Sequence, residues 1–140
     1  MVTAHAAQAY ARIGLETGVA AASPQRLVVM LYDGALAAIA DGRAHLVAGR
    51  TAPKGRALGK AIGIVDEGLK AALDRTQGGA IAQQLMDLYD YIAQRLLIGN
   101  ARNDVALLDE AARLLGELRD AWASLAARQD DLPVGALARR

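Results

Sequence analysis

The side chains through which a small chain does chemistry are scarce here. There are two histidines, His5 and His45, and Asp41 stands four residues before His45, the spacing that puts two side chains on one helical face. A carboxylate and an imidazole so placed can seat two metal ligands. Dinuclear carboxylate bundles, however, draw on Glu-x-x-His pairs from facing helices, and neither histidine has a glutamate three residues before it. With no further ligand set in the sequence, Asp41 and His45 are expected to form a surface pair, and no metal is expected. A phosphoacceptor role for His45 is the other possible chemistry, because phosphotransfer bundles also expose one histidine. His45 falls near the end of its segment, and of the cations only Arg43 shares its turn.

Nucleophilic catalysis fares no better. Serine occurs only as Ser23 and Ser124, and an acyl-transfer site needs a nucleophile, a base and an orienting group brought together. Gly55-Arg56-Ala57-Leu58-Gly59-Lys60 has neither the spacing nor the preceding strand of a phosphate-binding loop. Cysteine is absent, which removes disulfides, thiolate nucleophiles and thiolate metal sites. The expectation is a binding protein rather than an enzyme, with no cofactor.

Charge narrows the partners. Sixteen Lys and Arg against fifteen Asp and Glu leave a net charge of +1, without the broad cationic face that a phosphate backbone requires. Nucleic acid is therefore not expected as a partner. No apolar run approaches the roughly 18 residues of a membrane span, so no membrane insertion is expected. The start, Met1-Val2-Thr3-Ala4-His5-Ala6-Ala7, lacks the charged and then hydrophobic regions of a signal peptide, and the expected location is cytoplasmic.

The elements that would carry any binding surface are helices. Ser23-Pro24 pairs a capping side chain with a proline at the position a helix tolerates best. From there Leu27, Val28, Leu31, Ala35, Ala38 and Ile39 recur at helical steps until Gly49. A second segment begins near Pro53, carries Leu58, Ile62, Val65, Leu69 and Leu73, and breaks at Gly78-Gly79. The third follows Ile81, Leu85, Leu88, Ile92 and Leu96 to a stop at Gly99-Asn100. The fourth, capped by Asn103 or Asp104, runs through Leu107, Leu108, Ala111, Leu114, Leu115, Leu118, Trp122 and Leu125. Short connections predict antiparallel neighbours, hence an all-α, up-down four-helix bundle over residues 23–128. Residues 1–22 read as a short N-terminal helix or arm, and residues 129–140 as a flexible C-terminal tail.

Two helices repeat a phrase: Leu31-Tyr32-Asp33 in the first and Leu88-Tyr89-Asp90 in the third. In an up-down bundle these two helices run parallel, which places the phrases at related heights. Each tyrosine is either a packing residue or an interface residue. The ordered set formed by Tyr10, Ser23-Pro24-x-x-Leu27, Met30-Leu31-Tyr32-Asp33-Gly34-Ala35, Leu88-Tyr89-Asp90-Tyr91-Ile92, Arg95-Leu96, Asn100, Asp104, Leu118-Arg119 and Ala121-Trp122 resembles the flagellin export chaperone family, FliS. The resemblance spans about residues 10 to 125. It implies a chaperone of flagellar type III secretion that binds the disordered C-terminal region of flagellin, prevents premature polymerisation and delivers it to a component of the export gate. It also implies a gate-docking role near Tyr10, with Ile13 beside it.

The expected flagellin-binding groove comprises Leu31, Tyr32, Leu88, Tyr89, Ile92 and Leu96, from the two phrase-bearing helices. The apolar set Tyr10, Ile13, Leu15 and Val19 suggests that residues 1–22 cover this groove in the free protein as a lid. Gly59, Gly63 and Gly68 allow close approach either of a guest helix or of a neighbour in the bundle. A homodimer in the free state stays open. The competing functions are a generic helical interaction or dimerisation bundle and, behind it, a phosphotransfer-type bundle.

Overall fold

The computed structural model describes residues 23–73 and 75–131, so the expectations for the N-terminal arm, including Tyr10 and Ile13, and for residues 132–140 lie outside it. Helix α1 (Pro24–Val47) starts where the Ser23 side chain accepts a hydrogen bond from the Arg26 N–H at 3.1 Å. It stops at Gly49, whose φ of 75° closes a Schellman turn: Arg50 N–H bonds the His45 carbonyl and Gly49 N–H the Leu46 carbonyl. Helix α2 (Thr51–Gly63) continues without a break into a π-helical segment (Ile64–Leu69) and a last α-helical turn (Lys70–Ala72). Helix α3 (Arg75–Arg102) and helix α4 (Val105–Asp131) complete the four-helix, all-α fold, with no strand among the described residues.

Contacts between neighbouring helices run in opposite order along the two partners. Asp33 and Arg43 of α1 pair with Arg119 and Asp109 of α4, at 2.9 and 2.8 Å. Lys54 and Lys70, at the two ends of the second rod, reach Asn100 and Asp90 of α3. Helices α1 and α3 meet across the middle, where the Tyr32 and Tyr89 hydroxyls lie 2.5 Å apart. The core fills the space between all four, with Leu27, Leu31, Tyr32 and Ile39 of α1 against Leu58, Ile64, Ile92, Leu96, Leu108 and Leu115.

Several boundaries differ from the sequence reading, each for a physical reason. The second rod starts at Thr51 rather than Pro53 and ends at Ala72, leaving Leu73 extended. A wider π turn has more residues per turn than an α turn, so Ile64, Val65, Gly68 and Leu69 all face inward. Periodicity at 3.6 picks out Ile62 instead, which is only half-buried. Helix α3 begins before the two glycines and is kinked at Gly79, whose φ of 53° and ψ of −129° suit glycine alone.

The helix does not stop at Gly99-Asn100. Gly99 lies inside it because a side chain there would run into Leu108 at 2.9 Å. The stop is Asn103, which takes the left-handed turn at φ 52° while Asp104 N–H bonds the Gly99 carbonyl. Asp104, not Asn103, caps α4 by accepting from Ala106 N–H.

Candidate functional site

The two Leu-Tyr-Asp phrases meet inside the bundle. Tyr32 and Tyr89 are 0% and 1% exposed, their ring centres lie 6.4 Å apart, and their hydroxyls share a hydrogen bond. Their aspartates turn outward, Asp33 onto Arg119 and Asp90 onto Lys70. Burial pushes the Tyr89 phenol up to about 12, partly offset by the hydrogen bond from Tyr32. Burial, and then the neighbouring Tyr89, raises Tyr32 further still, against the opposing pull of the Trp122 indole. Both phenols are therefore neutral across the ordinary pH range and act as hydrogen-bonding groups.

Of the six residues expected to form a groove, Leu31, Tyr32, Tyr89, Ile92 and Leu96 are core residues, and Leu88 is half-buried. Their spacing brings them together, but against one another. Tyr89 also lines a concave surface.

That surface is an apolar cleft of about 280 Å³ at the end of the bundle where α1 begins. Val28 of α1 forms one side, with Leu69, Ala72 and Leu73 at the end of the second rod. The kinked start of α3 supplies Gly78, Ile81, Ala82, Leu85 and Tyr89, and α4 supplies Trp122. Among the described residues no charged side chain lines it. The kink at Gly79 explains its shape: it turns Ala82 into the packing and leaves Ile81 68% exposed at the mouth. Sequence periodicity placed Ile81 on the buried face, and the glycine kink moves it out. The signal for this cleft was the sole tryptophan in the chain and the Gly-Gly pair, but their convergence depends on the tertiary arrangement.

At the opposite end, His45, Arg50, Lys54 and Asn103 border a polar recess of about 170 Å³. Its groups largely satisfy one another. Arg50 donates to His45 Nδ1 at 3.1 Å, and Lys54 donates to the Asn100 carbonyl at 2.9 Å and to Asn103 Oδ1. Lys54, 6% exposed, thus latches the C-terminal end of α3 and is a structural cation that sequence reading passed over. Among the described residues no group of three or more His, Cys, Asp or Glu side chains is placed to hold a metal, and no helix is long and apolar enough to cross a membrane.

The described lining of the cleft is thus aliphatic and aromatic. Elsewhere between α3 and α4, Tyr91 donates to Glu110 at 2.6 Å and the Arg95 guanidinium lies over the Tyr91 ring at 5.1 Å.

The sequence is similar to those of known proteins. The profile of the family described as flagellar protein FliS matches residues 6–129. A protein of Salmonella typhimurium named flagellar secretion chaperone FliS is 47% identical over 122 residues, covering 87% of this chain and 90% of its own length. Its namesake in Escherichia coli is 41% identical over the same span, and that of Bacillus subtilis 31% over 107 residues, or 76% of this chain and 78% of the relative. With a fold of four helices, a buried Tyr32–Tyr89 pair and a profile match over most of its length, the chain belongs to the FliS family of flagellar secretion chaperones.

Proposed function

We propose that this protein is a cytoplasmic export chaperone that binds the disordered C-terminal region of flagellin, prevents its premature polymerisation and delivers it to the flagellar export gate. The observation that carries the reading is the apolar cleft with Ile81 at its mouth and Trp122 in its wall. A disordered segment that folds on binding needs apolar anchors at helical spacing and a concave apolar surface to receive them. Ordering such a segment costs a few kcal/mol, so contact must extend beyond one pocket. The half-buried Leu88, Leu114 and Leu118 along α3 and α4 offer that extension. The buried phrase residues Leu31, Tyr32, Ile92 and Leu96 then support the groove from behind, while Tyr89 forms part of its floor.

Titration calorimetry with a flagellin C-terminal peptide tests this. Ile81 is exposed, so Ile81→Ser leaves the fold intact, and it is expected to weaken binding about tenfold, the loss of one apolar anchor. Co-purification of the wild-type chain with a flagellin C-terminal fragment is the companion measurement. Absence of binding, together with self-association in sedimentation, would favour the dimerisation bundle instead.

A further inference from the structure

Arg95 carries its charge between α3 and α4 without a carboxylate partner among the described residues. Tyr91 and Arg95 stand four residues apart on one side of α3, and the Arg95 guanidinium lies over the Tyr91 ring at 5.1 Å. The ring is fixed in turn by its hydroxyl, which donates to Glu110 of α4 at 2.6 Å. Further along α4, Arg113 pairs with Glu117 at 3.5 Å. Both α4 carboxylates are thus engaged, and no described acceptor takes a hydrogen bond from the Arg95 guanidinium. Its Nε is sealed from solvent and unpaired. The two terminal nitrogens are unpaired as well but are not sealed, so they reach the surface. Tyr91 beside them is 39% exposed.

We infer that Arg95 is an anchoring site for a carboxylate, and that the guest segment places an acidic side chain on it. This rests on the reading that a flagellin segment lies along α3 and α4. A guanidinium presents a planar fork of N–H donors that fits a carboxylate with two parallel bonds, and such charge-assisted bonds are about twice as strong as neutral ones. Sealing Nε removes part of the cation's hydration, so water competes less for it than for a fully exposed arginine. Stacking on Tyr91 holds the fork in place, so little freedom is lost when the carboxylate arrives. Leu88 is half-buried and stands three residues before Tyr91, which puts Arg95 on the same side of α3 as an apolar contact for the guest. The guest's acid is therefore placed about two helical turns from its contact with Leu88.

Propionate and propionamide test the site without any flagellin, since they share a shape and differ in charge. Their binding to the full chain is read in NMR spectra from the Arg95 Nε–H and Tyr91 ring signals, with chloride holding the ionic strength fixed. Propionate is expected to move both signals saturably and propionamide neither. In Arg95→Gln the Tyr91 response to propionate is expected to fall to the propionamide level. Equal responses to the two probes, or a Tyr91 shift that survives Arg95→Gln, would overturn the inference. If Arg95→Gln does not fold, the wild-type Nε–H signal decides: a saturable shift with propionate alone supports the site, and no shift refutes it. With flagellin C-terminal peptides, changing one acidic residue to its amide is expected to weaken binding about tenfold to the wild type and not to Arg95→Gln. Peptides that bind with no acidic residue coupled to Arg95 would refute the guest contact. A peptide that fails to bind while propionate still does would remove the flagellin reading and uphold the carboxylate site.

Discussion

Tyr32 and Tyr89 set the character of the molecule at its centre. A phenol is apolar enough to pack among Leu and Ile, yet its oxygen must find a partner when buried. Each supplies the other's partner across 2.5 Å, and α1 and α3 are tied together by the same bond. The consequence is a defined alkaline limit. Burial raises both phenols above the ordinary value of 10, Tyr89 to about 12 and Tyr32 higher. Below pH 10 the folded and unfolded chains both hold these protons, and the contribution to stability is fully present. Above pH 10 the unfolded chain releases protons that the folded one keeps, so stability falls as pH rises through 12. Urea midpoints measured from pH 8 to 11.5 are expected to drop in the wild type and to drop less steeply in Tyr89→Phe. Equal slopes would show that the buried pair does not control alkaline unfolding.

Among the elements, the packing of α1 on the second rod depends on the absence of a side chain at Gly42. An added Cβ there would lie 2.5 Å from Leu58 Cδ2 and 2.7 Å from its Cγ, and Leu58 is fully buried. Overpacking of this kind costs about 1–3 kcal/mol, against a helix-propensity gain of at most about 1 kcal/mol for replacing glycine by alanine. Gly42→Ala is therefore expected to lower the denaturant midpoint. Gly59→Ala, on the same pair of elements but with open space around it, is expected to raise stability by up to about 1 kcal/mol. If both variants gain stability, the close approach at Gly42 is not a constraint.

The same contrast shows what was legible in the sequence. The buried face of α1 is read directly from its spacing, since Leu27, Val28, Leu31, Ala35, Ala38 and Ile39 are all in the core. In the second rod spacing finds Leu58, Val65 and Leu69 in the core, but the π turn at Ile64–Leu69, which no propensity marks in advance, adds Ile64 and leaves Ile62 half-buried. Among its glycines, a Cβ added at Gly68 would meet Leu31 Cδ2 at 3.1 Å, whereas Gly59 and Gly63 have open space. The cleft was the least legible part. Its walls come from four elements and from a backbone turn at Gly79, and spacing within one helix says nothing about convergence between helices. Of the residues that the phrases singled out, Tyr89 lines the cleft, while Leu31, Tyr32, Ile92 and Leu96 stand within the core.

At the scale of the whole molecule, the cleft opens at the end where the described chain begins: Val28, one of its lining residues, lies five positions after Ser23. Residues 1–22 carry Tyr10, Ile13, Leu15 and Val19, a set too apolar for an idle tail and within reach of the cleft by chain length alone. We propose that this arm covers the cleft in the free protein and leaves when flagellin arrives. Full burial of an aliphatic or aromatic side chain contributes about 1.5–3 kcal/mol. Fixing each backbone residue costs about 1–2 kcal/mol, so four anchors spread over some twenty residues hold weakly and reversibly. A lid closed most of the time lowers apparent affinity by the open fraction. Deleting residues 1–18 spares the Ser23 cap and is expected to tighten binding of the flagellin peptide and to expose apolar surface to a reporter dye. Unchanged or weaker affinity would rule out a competing lid. Export that fails while peptide binding survives would assign Tyr10 and Ile13 to docking at the export gate, and the arm would then act on delivery rather than on capture.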